Sequence, residues 1–142
     1  MSLTKMLTRS AVSAQTQDTL ENVARLMKTE NVEAVVITER TRPVGIVTDR
    51  DLAIAVCTGG YNPDDEVQGV MTCPVETIKG DEGVYNATQK MMDLAVRRLP
   101  VVNYMGDLIG LVSLDDLLLL LSRELHQLAE GIHAETKAAP IA

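Results

Sequence analysis

Gly45-Ile46-Val47-Thr48-Asp49-Arg50-Asp51-Leu52 occurs a second time, as Gly110-Leu111-Val112-Ser113-Leu114-Asp115-Asp116-Leu117. Each copy opens with glycine and branched apolar residues, the composition of a buried β-strand. Each then offers Thr or Ser as a helix N-cap, with Asp three residues on and an apolar helical run behind it. The chain therefore reads as two copies of one design, each with a strand-to-helix corner that could face a ligand.

Working outward, the surrounding pattern also repeats. Met71-Thr72 answers Leu7-Thr8, and Val84, Ala87, Thr88 and Met91 answer Leu20, Val23, Ala24 and Met27, all 64 residues on. Val96 answers Val32, and Pro100-Val101-Val102 answers Val36-Ile37-Thr38. Beyond Tyr104-Met105-Gly106-Asp107 the offset becomes 65, as Gly45 and Gly110 show. The extra residue falls in a turn, where length changes are tolerated. A matched series in one order, broken only at a turn, is the mark of a true repeat.

In chain order, Ala11 to Ala14 reads as a short strand. Asp18 opens a helix, with Glu21 at the capping-box position and Leu20, Val23, Ala24 and Met27 along one face. Val32 to Thr38 and Val44 to Val47 read as strands around the polar turn Glu39–Pro43. Thr48 caps a short helix whose main apolar residues are Leu52, Ile54 and Val56, ended by Gly59-Gly60. Residues 1–60 form the first repeat, 61–69 a linker, 70–136 the second repeat and 137–142 a tail. The last helix runs from near Leu114 to about Ala134. Leu117 to Leu121 is apolar all round, and Leu121, Leu125, Leu128 and Ile132 continue a stripe spaced 4, 3 and 4. Two readings stand: a core helix with an amphipathic tail, or a helix packed on a second copy, giving a homodimer.

Composition bounds the partners. Apolar residues make up 46% of 142, with neither Phe nor Trp, so the core is aliphatic. A net charge of −7 disfavours nucleic acid and an anionic membrane surface as partners. It leaves room for a small anionic ligand only beside local Arg or Lys. Cys57 and Cys73 fit neither a disulfide framework nor a zinc site and read as small buried side chains. Met27, Met91 and Met92 read as core filler, and His126 and His133 as solvent-facing or packing residues rather than metal ligands. With no signal-like apolar segment and no run of 18 apolar residues, a cytoplasmic protein is expected.

The corner itself has two readings. Thr48-x-x-Asp51 and Ser113-x-x-Asp116 satisfy a capping box, which explains the residue types as structure alone. Chemically, an ionised Asp accepts hydrogen bonds only, so its two oxygens suit a vicinal diol such as a ribose 2′,3′ pair. Backbone N–H groups at the helix start suit an anion, and strand residues could sandwich a purine. An enzyme using Asp49, Asp51, Asp115 and Asp116 as acid and base lacks any His, Cys or Lys nucleophile set beside them. No catalytic residue and no metal site is assigned.

G-I-V-T-D-R-D-L and G-L-V-S-L-D-D-L, with Leu7-Thr8, Met71-Thr72 and Val96-Arg97-Arg98-Leu99-Pro100-Val101-Val102, resemble the signature of CBS domains over nearly the whole chain. The resemblance implies an α+β fold: two tandem β-α-β-β-α repeats related by a pseudo-twofold axis, sheets packed together with helices outside and two clefts between them. It implies a non-catalytic regulatory module, without a cofactor in the catalytic sense, that binds an adenosine-containing ligand (AMP, ADP, ATP, NAD or S-adenosylmethionine), dimerises, and passes its signal to a separate target protein. Carried over by position, Thr48 and Asp51 would hold ribose in one cleft and Ser113 and Asp116 in the other. Thr8 and Thr72 would approach the base, Val32, Ala34, Arg97, Arg98 and Pro100 would line the clefts, and Arg50 would meet phosphate. Arg50 is answered by Asp115, so the corners are not equivalent. Arg97 and Arg98 are adjacent, so strand alternation would turn at most one of them into a cleft. The alternative is an assembly module with vestigial clefts.

Overall fold

The computed structural model describes residues 1–7 and 10–138. After a short helix α1 (Leu3–Met6), the first repeat runs β1 (Ser13–Gln15), α2 (Leu20–Glu30), β2 (Ala34–Glu39), β3 (Arg42–Thr48) and α3 (Asp49–Cys57). A 3-10 turn at Val67–Gly69 leads into β4 (Ile78–Lys79), α4 (Val84–Leu94), β5 (Arg98–Val102), β6 (Leu108–Ser113) and α5 (Leu114–Ala138). The fold is α+β, built from two tandem repeats. Each repeat makes a three-stranded sheet with its first strand parallel and its hairpin antiparallel. The irregularities repeat too. A bulge between Ile37 and Thr38 is matched between Val101 and Val102. The left-handed residue ending α2, Asn31 (φ 55°), is matched by Ala95 (φ 54°) ending α4.

Ala34 to Thr38 are buried without a break, as are Leu99 to Val102. A strand buried at every residue is covered on both faces. In β2, Val35 and Ile37 join Leu20, Val23, Met27, Val47 and Leu52 in the first core. Val36 and Thr38 therefore point to the opposite face. Thr38, 3% exposed, is the buried polar residue there; its hydroxyl accepts from Gln15 Nε2 at 2.9 Å, which removes the penalty of an unpartnered hydroxyl. In β5, Leu99 and Val101 join Ile78, Ala87, Met91, Val112 and Leu117 in the second core.

The lead-ins are exchanged between the repeats. Leu3, fully buried, belongs to the second core with Met6 and Leu7 packed on it. Val67, also fully buried, belongs to the first core with Val70 and Met71 packed on it. The backbone bonds obey the same symmetry. Leu3 N–H donates to Glu82 O and Val67 N–H to Asp18 O; Thr4 N–H donates to Gly80 O and Gln68 N–H to Thr16 O. Ser2 bridges Gly83 while Thr19 bridges Glu66. Each of these bonds becomes its partner when 64 is added to the first repeat's residue and subtracted from the second's, which is what a pseudo-twofold axis does.

The glycines of the repeated signature are the seats of this exchange. A Cβ on Gly110 would come within 2.8 Å of Leu7 Cδ2, and one on Gly45 within 2.8 Å of Met71 Cγ. Gly110→Val is expected to lift Leu7 off its seat and cost about 1–3 kcal/mol of overpacking, read as a lower urea midpoint. An unchanged midpoint would show that Leu7 is not held there.

Several local readings shift. The cap of α2 is Thr19, whose hydroxyl accepts from Asn22 N–H at 3.1 Å, because the Asp18 carboxylate is engaged by Gln15 N–H at 2.7 Å. On α3 the core face carries Leu52 and Ala55, leaving Ile54 47% exposed. Cys57 is exposed, since Leu52, Ala55 and Val56 take the inward face, and Cys73 is exposed after the Ile46–Thr72 bridge. Met92 is also exposed, one position past the buried Met91 on α4. The strands begin or end one to two residues from the expected bounds, and α5 continues to Ala138.

Candidate functional site

Both strand-to-helix corners form capping boxes. At the first, Thr48 N–H donates to Asp51 Oδ2 (2.9 Å) and Asp51 N–H to Thr48 Oγ1 (3.2 Å). At the second, Ser113 N–H donates to Asp116 Oδ2 (2.9 Å) and Asp116 N–H to Ser113 Oγ (3.0 Å). Local structure thus accounts for Thr, Ser and both Asp residues. It does not use them up: among the described residues Oδ1 of Asp116 accepts no hydrogen bond, and a carboxylate offers about four acceptor positions.

The second corner opens onto a cavity of about 810 Å3 between the two repeats. From the second repeat come Arg97, Arg98, Ser113, Asp115 and Asp116, and from the first come Val12, Glu30, Val32, Glu33 and Ala34. Six of the expected site residues, Val32, Ala34, Arg97, Arg98, Ser113 and Asp116, therefore share one cleft. Arg97 and Arg98 both line it. Arg97 precedes the first residue of β5, so the alternation that would send neighbours to opposite faces does not reach it.

The remaining expected residues lie elsewhere. Thr48, Arg50 and Asp51 stand at the first corner and do not line this cavity, and Arg50 is exposed. Thr72 is exposed and holds Ile46 through two backbone bonds of 2.9 and 3.2 Å. Pro100 is buried in β5 opposite Leu111. Thr8 lies outside the described residues. A smaller cavity of about 420 Å3, lined by Ser10, Ser13, Thr38, Arg40 and Thr41 among others, contains none of the expected residues.

Two ion pairs organise the larger cleft. Arg98 Nη2 lies 2.9 Å from Glu33 Oε2, joining one repeat to the other, and Arg97 Nη2 lies 3.3 Å from Asp115 Oδ1. Arg123 also lines the cleft, a position that the repeat could not signal because α3 ends before its counterpart. Its spacing could have: Arg123 follows Asp116 by two helical turns, with Leu119 and Leu120 between them on the same wall. Three arginines face four carboxylates, Glu30, Glu33, Asp115 and Asp116, so the cleft supplies the local cations that the overall acidity lacks. Among the described residues no group of three His, Cys, Asp or Glu side chains is placed to hold a metal ion, and no helix is long and apolar enough to cross a membrane.

Residues 3–57 and 67–123 each match the model of the CBS domain. The chain belongs to the CBS-domain family. The uncharacterized protein MK0525 of Methanopyrus kandleri is 36% identical over 120 residues, 83% of this chain and 61% of that relative, so the chain spans under two thirds of its length. The CBS domain-containing protein YhcV of Bacillus subtilis is 31% identical over 78% of this chain and 79% of its own. Among solved structures, the CBS domain protein PAE2072 from Pyrobaculum aerophilum, complexed with AMP, superposes with a TM-score of 0.75 at 29% identity, covering 87% of this chain and 99% of that one. The two repeats here are therefore a CBS pair.

Proposed function

We propose that this CBS pair is a non-catalytic regulatory module that takes an adenosine-containing ligand in the cleft between its repeats. The observation that carries the reading is the convergence, in one cavity, of the Ser113–Asp116 corner, three arginines and an apolar wall from the other repeat. Asp116 and Ser113 would take the ribose hydroxyls, Val32, Ala34 and Val12 the base, and Arg97, Arg98 and Arg123 the anionic group. A cavity of this size falls within the range of small-molecule sites. The relative complexed with AMP supports the ligand class. Thr48, Asp51 and Arg50, with Thr72 and Pro100, are proposed as the second site, which differs because Asp115 stands where Arg50 does. Output passes through association, with a second copy or a separate target protein, and the expected setting is the cytoplasm.

Titration calorimetry with AMP, ADP, ATP, NAD and S-adenosylmethionine tests this. Binding of at least one of them is expected, and Asp116→Ala is expected to weaken it. The same change costs about 1 kcal/mol of stability through the lost cap. Asp51→Ala should leave the Ser113 cleft intact. Unchanged affinity and stoichiometry in both variants would remove the aspartates from the site. No heat with any of the five ligands would leave the assembly reading, which the two ion pairs already closing on the arginines favour.

A further inference from the structure

The two repeats are a control on each other: chemistry that only one of them carries is not a demand of the shared fold. The smaller cavity, of about 420 Å3, is such a case. Its polar lining is Ser10, Ser13, Thr38, Arg40 and Thr41, and its apolar lining is Ala11, Leu108 and Ile109. Counted 64 residues on, Ser10 is answered by Pro74, Thr38 by Val102 and Arg40 by Tyr104. Thr38 and Val102 each stand first past the bulge of their strand, so the sheet is built as well without the hydroxyl. The positive-φ residue of the second hairpin is Gly106 (φ 88°), and that of the first is Arg40 (φ 58°). Glycine takes that conformation freely, whereas a side chain crowds the backbone there. An arginine kept where glycine would serve is a backbone outlier of the kind that marks functional sites.

The hydrogen bonds leave donors over. Thr38 is 3% exposed, and its Oγ1 accepts from Gln15 Nε2 at 2.9 Å. Its own proton has only Ala14 O, 3.5 Å away, well past the roughly 2.5–3.0 Å of an O–H···O bond. The Thr41 hydroxyl, by contrast, is committed to Asp107 Oδ1 at 2.6 Å. Among the described residues the Arg40 side chain makes neither an ion pair nor a hydrogen bond. No carboxylate belongs to this lining, although the chain carries a net −7 and the larger cleft holds four. A guanidinium and a buried hydroxyl proton without an acid beside them suit an oxyanion. The space exceeds what one phosphoryl group needs and falls within the range of small-molecule sites. Serine hydroxyls both donate and accept, which suits a ligand with hydroxyls of its own. We propose that this cavity binds a small phosphorylated polyol. Arg40 and Thr38 take the phosphoryl oxygens, Ser10 and Ser13 the hydroxyls, and Ala11, Leu108 and Ile109 the carbon chain. The site shares only Ser10 and Ala11 with the lining of the Ser113 cleft and does not rest on the adenosine reading.

Titration of the full chain with glycerol phosphate, followed by amide proton–nitrogen NMR, is expected to shift Ser13, Thr38, Arg40 and Leu108 saturably. Inorganic phosphate should shift the same amides with weaker affinity. Arg40→Gly is expected to weaken both about 10- to 100-fold. Without ligand its melting midpoint should stay at or above that of the wild type, because glycine relieves the left-handed turn. A residue kept only for structure would not show that opposition of stability and binding. Thr38→Val, which copies Val102 of the second repeat, should also weaken binding, and it reads the site independently of the hairpin. Three results would each overturn the site: no saturable shift at these amides, shifts confined to Arg97, Arg98 and Arg123, or unchanged affinity in both variants. Equal affinities for inorganic phosphate and glycerol phosphate would overturn the polyol. Because the shifts are assigned residue by residue, failure here and failure of the Ser113 cleft to bind AMP give different results.

Discussion

Leu3→Ala is expected to destabilise the second repeat, the one farther from it in sequence, by about 2–5 kcal/mol. Leu3 is fully buried among Ile78, Leu99, Val101 and Leu117, and two backbone bonds, from Leu3 and Thr4 to Glu82 and Gly80, keep the segment in place. The cavity left by the side chain thus has little freedom to collapse. For a chain of this size the melting midpoint should fall by on the order of 10 °C. Hydrogen exchange is the sharper measurement. Amides of β5 and β6 should lose protection, and those of the first repeat should follow only as far as the two unfold together. A loss confined to residues before Ala14 would mean that the lead-in merely rests on the surface.

Arg98→Ala is the change with the largest expected effect on ligand binding. Arg98 is the arginine whose ion pair crosses between repeats, with its side chain 26% exposed and Glu33 75% exposed. Truncation leaves Glu33 in water, so stability should change little. A hydrogen bond to a charged group is worth about 1.5–3 kcal/mol, so affinity for AMP should fall roughly 10- to 100-fold. Adenosine, which carries no phosphate, should lose much less. Equal losses for the two ligands would place Arg98 outside the anion site.

The fold was legible because the repeat carries its own internal control: a pattern met once is ambiguous, and met twice in order it is not. The corners were legible for the same reason, since a capping hydroxyl and an acid three residues on leave a local trace. What escaped was non-local. Nothing in Leu3-Thr4-Lys5-Met6 says which of two equivalent cores receives it, because an apolar segment fits either by composition. Arg123 escaped because it has no partner in the shorter α3. Asp18 and Thr19 are both good caps side by side, and only the turn at Gln15 decides between them. Cys57 and Met92 escaped because one residue along a helix is 100° of rotation, enough to turn a side chain from core to solvent. Arg97 was misjudged by extending strand geometry one residue too far.

The exchanged lead-ins have a topological consequence. Each lobe is closed by a strip of chain drawn from the far side of the molecule, like two clasped hands. A nick in the loop at Gly59–Asp64 would therefore yield two pieces that each hold a part the other needs, Leu3 in the first and Val67 in the second. A lobe that loosens also loosens its hold on its neighbour's closing turn, so the stabilities of the two lobes are coupled through these strips.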